Sequence, residues 1–134
     1  MAQASPGARP RPLSPHLMNW RWHVTMAASI FTRVSGGALY VGMFLLTGWT
    51  LALVSGADAY GVYMGLLGSW LGQLVLFGFT AAIFYHLAGG LRHLAWDIGK
   101  GWSKEAASIS AWMSIAFAIL ASLIVWGMAT MGVH

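Results

Sequence analysis

The reactive side chains of this sequence gather in two places. The stretch from His86 to Gly99 carries His86, Arg92, His93 and Asp97 at the end of a long apolar run. The stretch from Ser29 to Gly36 carries Ser29 and Arg33. An imidazole can ligate a metal or relay a proton, and a guanidinium can hold an anionic edge. Ionisable groups inside or beside a membrane span are costly, so they point to function. As a helix, His86 and His93 share a face, roughly 10 Å apart along the axis at ~1.5 Å per residue. Gly89 and Gly90 lie between them. They leave a surface without bulk, where a flat, wide ligand can approach the backbone.

Geometry limits what these histidines do. Two imidazoles at that separation on one helix cannot grip one iron from opposite sides. If His86 is an axial ligand to haem iron, the opposite ligand comes from elsewhere. His16 and His23 precede the first apolar run and His134 closes the chain. None is embedded in apolar sequence as His86 is, so the expected donor is a second chain. The competing reading of His86 is an interhelical hydrogen bond in a helix bundle.

Ser29 and Arg33 are four residues apart and so fall on one helix face. A hydroxyl donor and a cation at a membrane boundary suit a carbonyl ligand such as a quinone head group, or the propionates of a haem. The bland alternative is that Arg33, Arg92 and Lys100 are cations snorkelling at the membrane edge. That reading is preferred for Lys100 and Lys104. For Arg33 the serine one turn earlier favours function.

These groups need helices to position them. Hydrophobic residues make up 58% of the chain and charged residues 7%, which places it among integral membrane proteins. The net charge of +4 rests on seven Lys and Arg residues spread along the sequence, so a nucleic-acid partner is excluded. With no cysteine, the chain cannot by itself hold a disulfide, a zinc thiolate or a cysteine-ligated iron–sulfur cluster. The expected fold is all-α: a three-helix membrane bundle with spans at about 26–54, 63–96 and 108–131. A cytoplasmic tail and a short interfacial segment, anchored by Trp20, Arg21 and Trp22, fill residues 1–25. The second span is longer than one crossing, so tilt or an extension is expected. The glycines of spans one and two are expected to be close-packing surface.

Charge sets the topology. Arg9, Arg11, Arg21 and Arg33 lie on the N-terminal side, and Arg92, Lys100 and Lys104 lie at the loop between spans two and three. Three crossings put both groups on one membrane face. The positive-inside rule then places the N-terminus inside.

Three ordered motifs resemble the cytochrome b membrane-anchor subunit of succinate dehydrogenase. The segment Arg11 to Leu17 resembles that family's opening motif. Ser29 to Gly36 resembles its Ser-Ile…Arg-x-(Ser/Thr)-Gly signature. His86, Gly90, Arg92, His93, Asp97 and Gly99 match every fixed position of its His-x-x-x-Gly-x-Arg-His-x-x-x-Asp-x-Gly signature. The resemblance implies that His86 is the axial ligand to haem b, with the other ligand on a second hydrophobic anchor subunit. It implies that Ser29 and Arg33 bind ubiquinone near an iron–sulfur subunit. It puts His93 and Arg33 in the vicinity of the haem propionates. It gives Arg92 and Asp97 no sharper role. One position departs: the family usually has a histidine before the motif arginine, and this chain has Thr32.

The implied function is that of a subunit which is not an enzyme by itself. A flavoprotein subunit oxidises succinate, and electrons pass through iron–sulfur clusters to quinone at this membrane face. The chain contributes positioning and electrostatics. A haem-free structural anchor that binds quinone in a fumarate reductase-type complex is the alternative. A proton relay through His86, His93 and Asp97 is a third reading. It is weakened because span three and the outer half of span two carry no ionisable residue. The expected location is the bacterial inner membrane rather than the mitochondrial one, because no long presequence precedes the motifs.

Overall fold

The computed structural model describes residues 21–131. The first family-like motif, His16, His134 and most of the expected interfacial segment lie outside the described residues. Four helices follow in order: α1 (Val24–Val54), α2 (Ala57–Gly68), α3 (Trp70–Asp97) and α4 (Lys104–Met131). No strand occurs among the described residues, so the architecture is the expected all-α bundle. Three of these helices, α1, α3 and α4, are long and apolar enough to cross a membrane. The chain is thus a multi-pass membrane protein.

Helix starts follow local capping chemistry. The His23 side chain accepts from the Thr25 backbone N–H and caps α1. The Ser103 Oγ accepts from Ala106 N–H at 3.1 Å and opens α4. These caps explain why α1 and α4 begin at Val24 and Lys104, ahead of the positions where apolar periodicity begins.

The second crossing differs from the single helix expected over 63–96. The chain breaks at Ser69, whose backbone is extended and whose Oγ accepts from Gly72 N–H at 3.1 Å. Serine competes with the helical backbone and serves as an N-cap. The bend is so tight that a Cβ at Gly72 would lie 2.6 Å from the Leu67 carbonyl oxygen. What looked like one overlong span is therefore two helices. α2 is held to α1 where the Tyr63 hydroxyl donates to the Leu45 carbonyl at 2.6 Å.

α3 is central and packs on both α1 and α4. The buried residues are small, Ala28, Ser35, Ala52, Gly89, Ala111, Ser114, Ala118 and Ser122, except for Tyr85, whose hydroxyl donates to the Ala28 carbonyl at 3.0 Å. Large side chains such as Leu46, Leu87, Ile119 and Leu123 point outward. This inversion of a soluble core is expected where lipid tails solvate the apolar exterior and small residues let helices approach. The glycine expectation holds in part. A Cβ at Gly42 would meet Phe79 at 3.0 Å, and one at Gly48 would meet Tyr63 at 3.1 Å. Gly37, Gly65, Gly68 and Gly78 face open space.

Hydroxyls stitch α3 to α4. Trp126 Nε1 donates to Thr80 Oγ1 at 3.1 Å, and Arg92 Nε donates to Ser110 Oγ at 2.9 Å. Edge-on ring pairs fill the seam between them, Phe77 with Trp126 and Phe84 with Phe117. These pairs run in opposite order along the two helices, so α3 and α4 are antiparallel. The same reasoning applies to α1 and α3, where Gly36 faces His86 and Gly42 faces Phe79. The start of α1 therefore lies beside the end of α3 and the start of α4.

Candidate functional site

His86 sits in the interior of α3, eleven residues before its last residue Asp97. That is about 16 Å from the helix end at ~1.5 Å per residue. The imidazole is half-buried against α1. Its Nδ1 lies 3.2 Å from the Ser35 hydroxyl. Its Cε1 lies where a Cβ at Gly36 would come within 3.2 Å. The glycine therefore lets the ring lie directly on the α1 backbone. Sequence reasoning singled out Ser29 and Arg33 in this motif and gave Ser35 no role. Its signal was present, a hydroxyl in a span with a histidine on the next, but pairing across helices is a tertiary fact.

Gly89 does not offer an open surface for a ligand. It is buried, and a Cβ there would lie 3.1 Å from Thr32 Oγ1. Its missing side chain serves the approach of α1 to α3. Gly90, by contrast, is exposed with nothing nearby. The same contact explains what the unusual Thr32 does. Its hydroxyl donates to the Ala28 carbonyl at 2.9 Å, and its compact side chain packs on Gly89. A residue the size of histidine would press on that seam.

Ser29, Thr32, Arg92 and His93 line one cavity of about 650 Å³ at the end of the bundle where α1 starts and α3 stops. His23, Thr25, Trp96, Trp102 and Lys104 complete much of its wall. Sequence analysis assigned Lys104 and His23 no part in a site. The α3–α4 loop brings several of these residues in. Gly99 and Gly101 have φ of 77° and 80°, a region that favours glycine, and the loop folds back through them. Trp102 Nε1 donates to the Trp96 carbonyl, and Trp96 Nε1 to the Gly101 carbonyl, both at 3.1 Å. His93 meets the Trp96 ring edge-on at 5.2 Å.

Three residues behave differently from their motif neighbours. Arg92 turns toward α4: Nε bonds Ser110, Nη2 donates to the Ala107 carbonyl at 3.0 Å, and the guanidinium carbon lies 4.4 Å from the Trp96 ring centroid. Two of its N–H groups are thus spent clamping two helices. Asp97 ends α3 exposed, outside the cavity wall. Arg33 is exposed on α1 and is also outside that wall, although Ser29 is part of it. Arg33 lies nine residues into the span, about 13 Å along the helix. A cation at such depth that faces outward requires an anionic or polar partner beyond this chain, or must snorkel.

Among the described residues no group of three or more His, Asp or Glu side chains converges on a point. The donor set offered is one imidazole with its second ring nitrogen tied to a hydroxyl. Such a residue would suit a metal that takes a single donor from this chain, its remaining ligands coming from a cofactor or a partner.

Fold and site together define a class: a multi-pass helical membrane protein with an imidazole anchored inside a span and, at one end, a largely apolar cavity with hydroxyl, imidazole and cationic side chains set in its wall. The comparisons with known proteins give this class a family. Residues 7–125 match the family model described as succinate dehydrogenase/fumarate reductase transmembrane subunit. The chain is 40% identical to the succinate dehydrogenase cytochrome b556 subunit of Paracoccus denitrificans, over 85% of this chain and 88% of that protein. It is 34% identical to the cytochrome b556 subunit of Rickettsia felis, over 87% of this chain and 90% of that one. It is 36% identical to the mitochondrial cytochrome b560 subunit of Mus musculus, over 84% of this chain and 68% of that one. The chain belongs to the succinate dehydrogenase/fumarate reductase transmembrane subunit family.

Proposed function

We propose that this chain anchors a succinate dehydrogenase in the membrane, supplies one axial ligand to a shared haem b, and forms part of the site where ubiquinone is reduced. The observation that carries the haem assignment is the half-buried His86 imidazole, tied through Nδ1 to Ser35 and lying on Gly36. Its other ring nitrogen makes no hydrogen bond among the described residues and is the ligand atom. A second hydrophobic anchor subunit would supply the other protein ligand and would also be a natural neighbour for the exposed Arg33. The haem, when bound, supplies one-electron redox chemistry.

The remaining work is electrostatic. Quinone reduction takes up two electrons and two protons, and negative charge develops on the carbonyl oxygens before the protons arrive. Ser29 donates a hydrogen bond there, and Arg33 stabilises the developing charge from the outer surface of α1. His93, in the cavity wall, and Arg33, outside it, would lie near the haem propionates. Thr32 carries no charge, so it holds helices α1 and α3 together rather than delivering protons. Arg92 secures α3 to α4, and Asp97 has no assigned contact with either group. A flavoprotein and an iron–sulfur subunit dock at this face and deliver the electrons. The positive-inside rule orients the N-terminus and the α3–α4 loop to the cytoplasm of a bacterial inner membrane.

The test is the reduced-minus-oxidised spectrum and pyridine haemochrome of the purified complex. A bis-histidine b-type signal that is lost in His86→Ala supports the assignment. A complex without protohaem, or one whose spectrum is indifferent to His86→Ala, overturns it and leaves a haem-free quinone-binding anchor.

A further inference from the structure

Among the described residues, three hydroxyls contact a nitrogen on another helix. Ser110 Oγ donates to the Ala107 carbonyl at 3.1 Å and accepts from Arg92 Nε at 2.9 Å. Thr80 Oγ1 donates to the Leu76 carbonyl at 2.9 Å and accepts from Trp126 Nε1 at 3.1 Å. In both, the direction is fixed, because neither an arginine nor an indole nitrogen accepts. The hydroxyl gives its one proton to its own helix and takes a proton from across the seam. Ser35 has the same arrangement: its Oγ lies 3.0 Å from the Thr32 carbonyl, which can only accept, and 3.2 Å from His86 Nδ1.

We infer that Ser35 is a positioning residue that holds His86 as the Nδ1–H tautomer and thereby aims the Nε2 lone pair at the haem iron. The inference rests on the haem assignment above and goes beyond it. With the Ser35 proton committed to Thr32, the Nδ1 contact is satisfied when the imidazole donates. A neutral imidazole protonated at Nδ1 leaves Nε2 free to coordinate. The opposite tautomer would carry its proton on Nε2 and could not ligate. Ser35 is buried at 6% relative exposure, so water does not compete for the bond. Gly36 supports the ring from the next position, because a Cβ there would push on Cε1 at 3.2 Å. Hydroxyl and glycine together limit both the tilt and the tautomer of the ring.

An accepted Nδ1 proton makes the imidazole a more basic ligand and favours ferric iron. Removing the acceptor has the opposite effect. In the assembled complex, Ser35→Ala is expected to raise the haem midpoint potential and to speed haem loss by roughly tenfold, at the lower end of outer-shell effects. It also changes the low-spin g-values of the ferric haem. Ser114→Ala is the control. Ser114 is equally buried but bonds only the Ser110 carbonyl at 2.8 Å, so its loss leaves the potential unchanged. If Ser35→Ala does not assemble, Ser35→Cys replaces it, since a thiol is a weak acceptor. An upward shift in either Ser35 variant and not in Ser114→Ala supports the inference. Wild-type potential and g-values in the assembled Ser35 variant overturn it, with the haem assignment intact. A wild-type complex without a b-type spectrum, or one that keeps it in His86→Ala, overturns the haem assignment itself.

Discussion

Arg92 on α3 donates from Nε to Ser110 on α4 at 2.9 Å, and its Nη2 reaches the Ala107 carbonyl one turn earlier. A motif arginine with no specific role legible in the sequence thus works as a clamp between two spans. Arg92→Ala is expected to destabilise the isolated complex by about 2 kcal/mol, the scale of a hydrogen bond from a charged group. A double-mutant cycle with Ser110→Ala, read by thermal unfolding in detergent, should give a coupling of about 0.6 to 1.7 kcal/mol. Strict additivity of the two substitutions would show that the contact contributes nothing.

Gly36 and Gly37 are neighbours with opposite surroundings. A Cβ at Gly36 meets His86, whose ring is held by Ser35 and cannot move aside freely, while one at Gly37 meets nothing within 4 Å. Gly36→Ala should cost about 1 kcal/mol by overpacking and alter the haem spectrum. Gly37→Ala should leave both unchanged or stabilise slightly, as helix propensity favours alanine. Equal behaviour of the two variants in absorption and melting would contradict the packing described.

The tight α2–α3 bend depends on Gly72. Its Cβ would collide with backbone that cannot rotate away, at 2.6 Å from the Leu67 carbonyl. Gly72→Ala should therefore lower complex stability by about 1–3 kcal/mol. Gly68→Ala, in open space, should be within about 0.5 kcal/mol of wild type. Ser69→Ala should lose about 1 kcal/mol with the cap. Thermal melts of the three variants in one detergent order these effects.

Arg33 makes no hydrogen bond or ion pair among the described residues, so its removal should not disturb the bundle. Arg33→Ala and Ser29→Ala should leave thermal stability close to wild type and lower quinone reductase activity by roughly tenfold or more, the equivalent of a lost charged hydrogen bond at about 1.5–3 kcal/mol. Electron transfer from succinate to an artificial acceptor at the soluble subunits should persist. Loss of both activities together would place the defect in assembly instead of at the quinone.

The sequence by itself determined what the solvent of this protein must be. A chain with 58% hydrophobic and 7% charged residues satisfies its backbone in lipid by forming helices. The ordered motifs marked His86 as the residue to watch. Periodicity and span length could not see the break at Ser69, because apolar residues continue on both sides and a single capping hydroxyl decides it. Nor could they assign partners to side chains distant in the sequence. Ser35 and His86 are 51 residues apart, and only the antiparallel crossing of α1 and α3 brings hydroxyl to imidazole. Ser29 and Arg33 share a helix face by spacing, yet the turn of α1 against α3 puts one in the cavity wall and the other outside. Helix identity is local in origin, since hydrogen bonds span four residues and lipid excludes other backbone. Which face each helix shows its neighbour is set by small residues meeting across a seam, and that pairing exists only once the helices have packed.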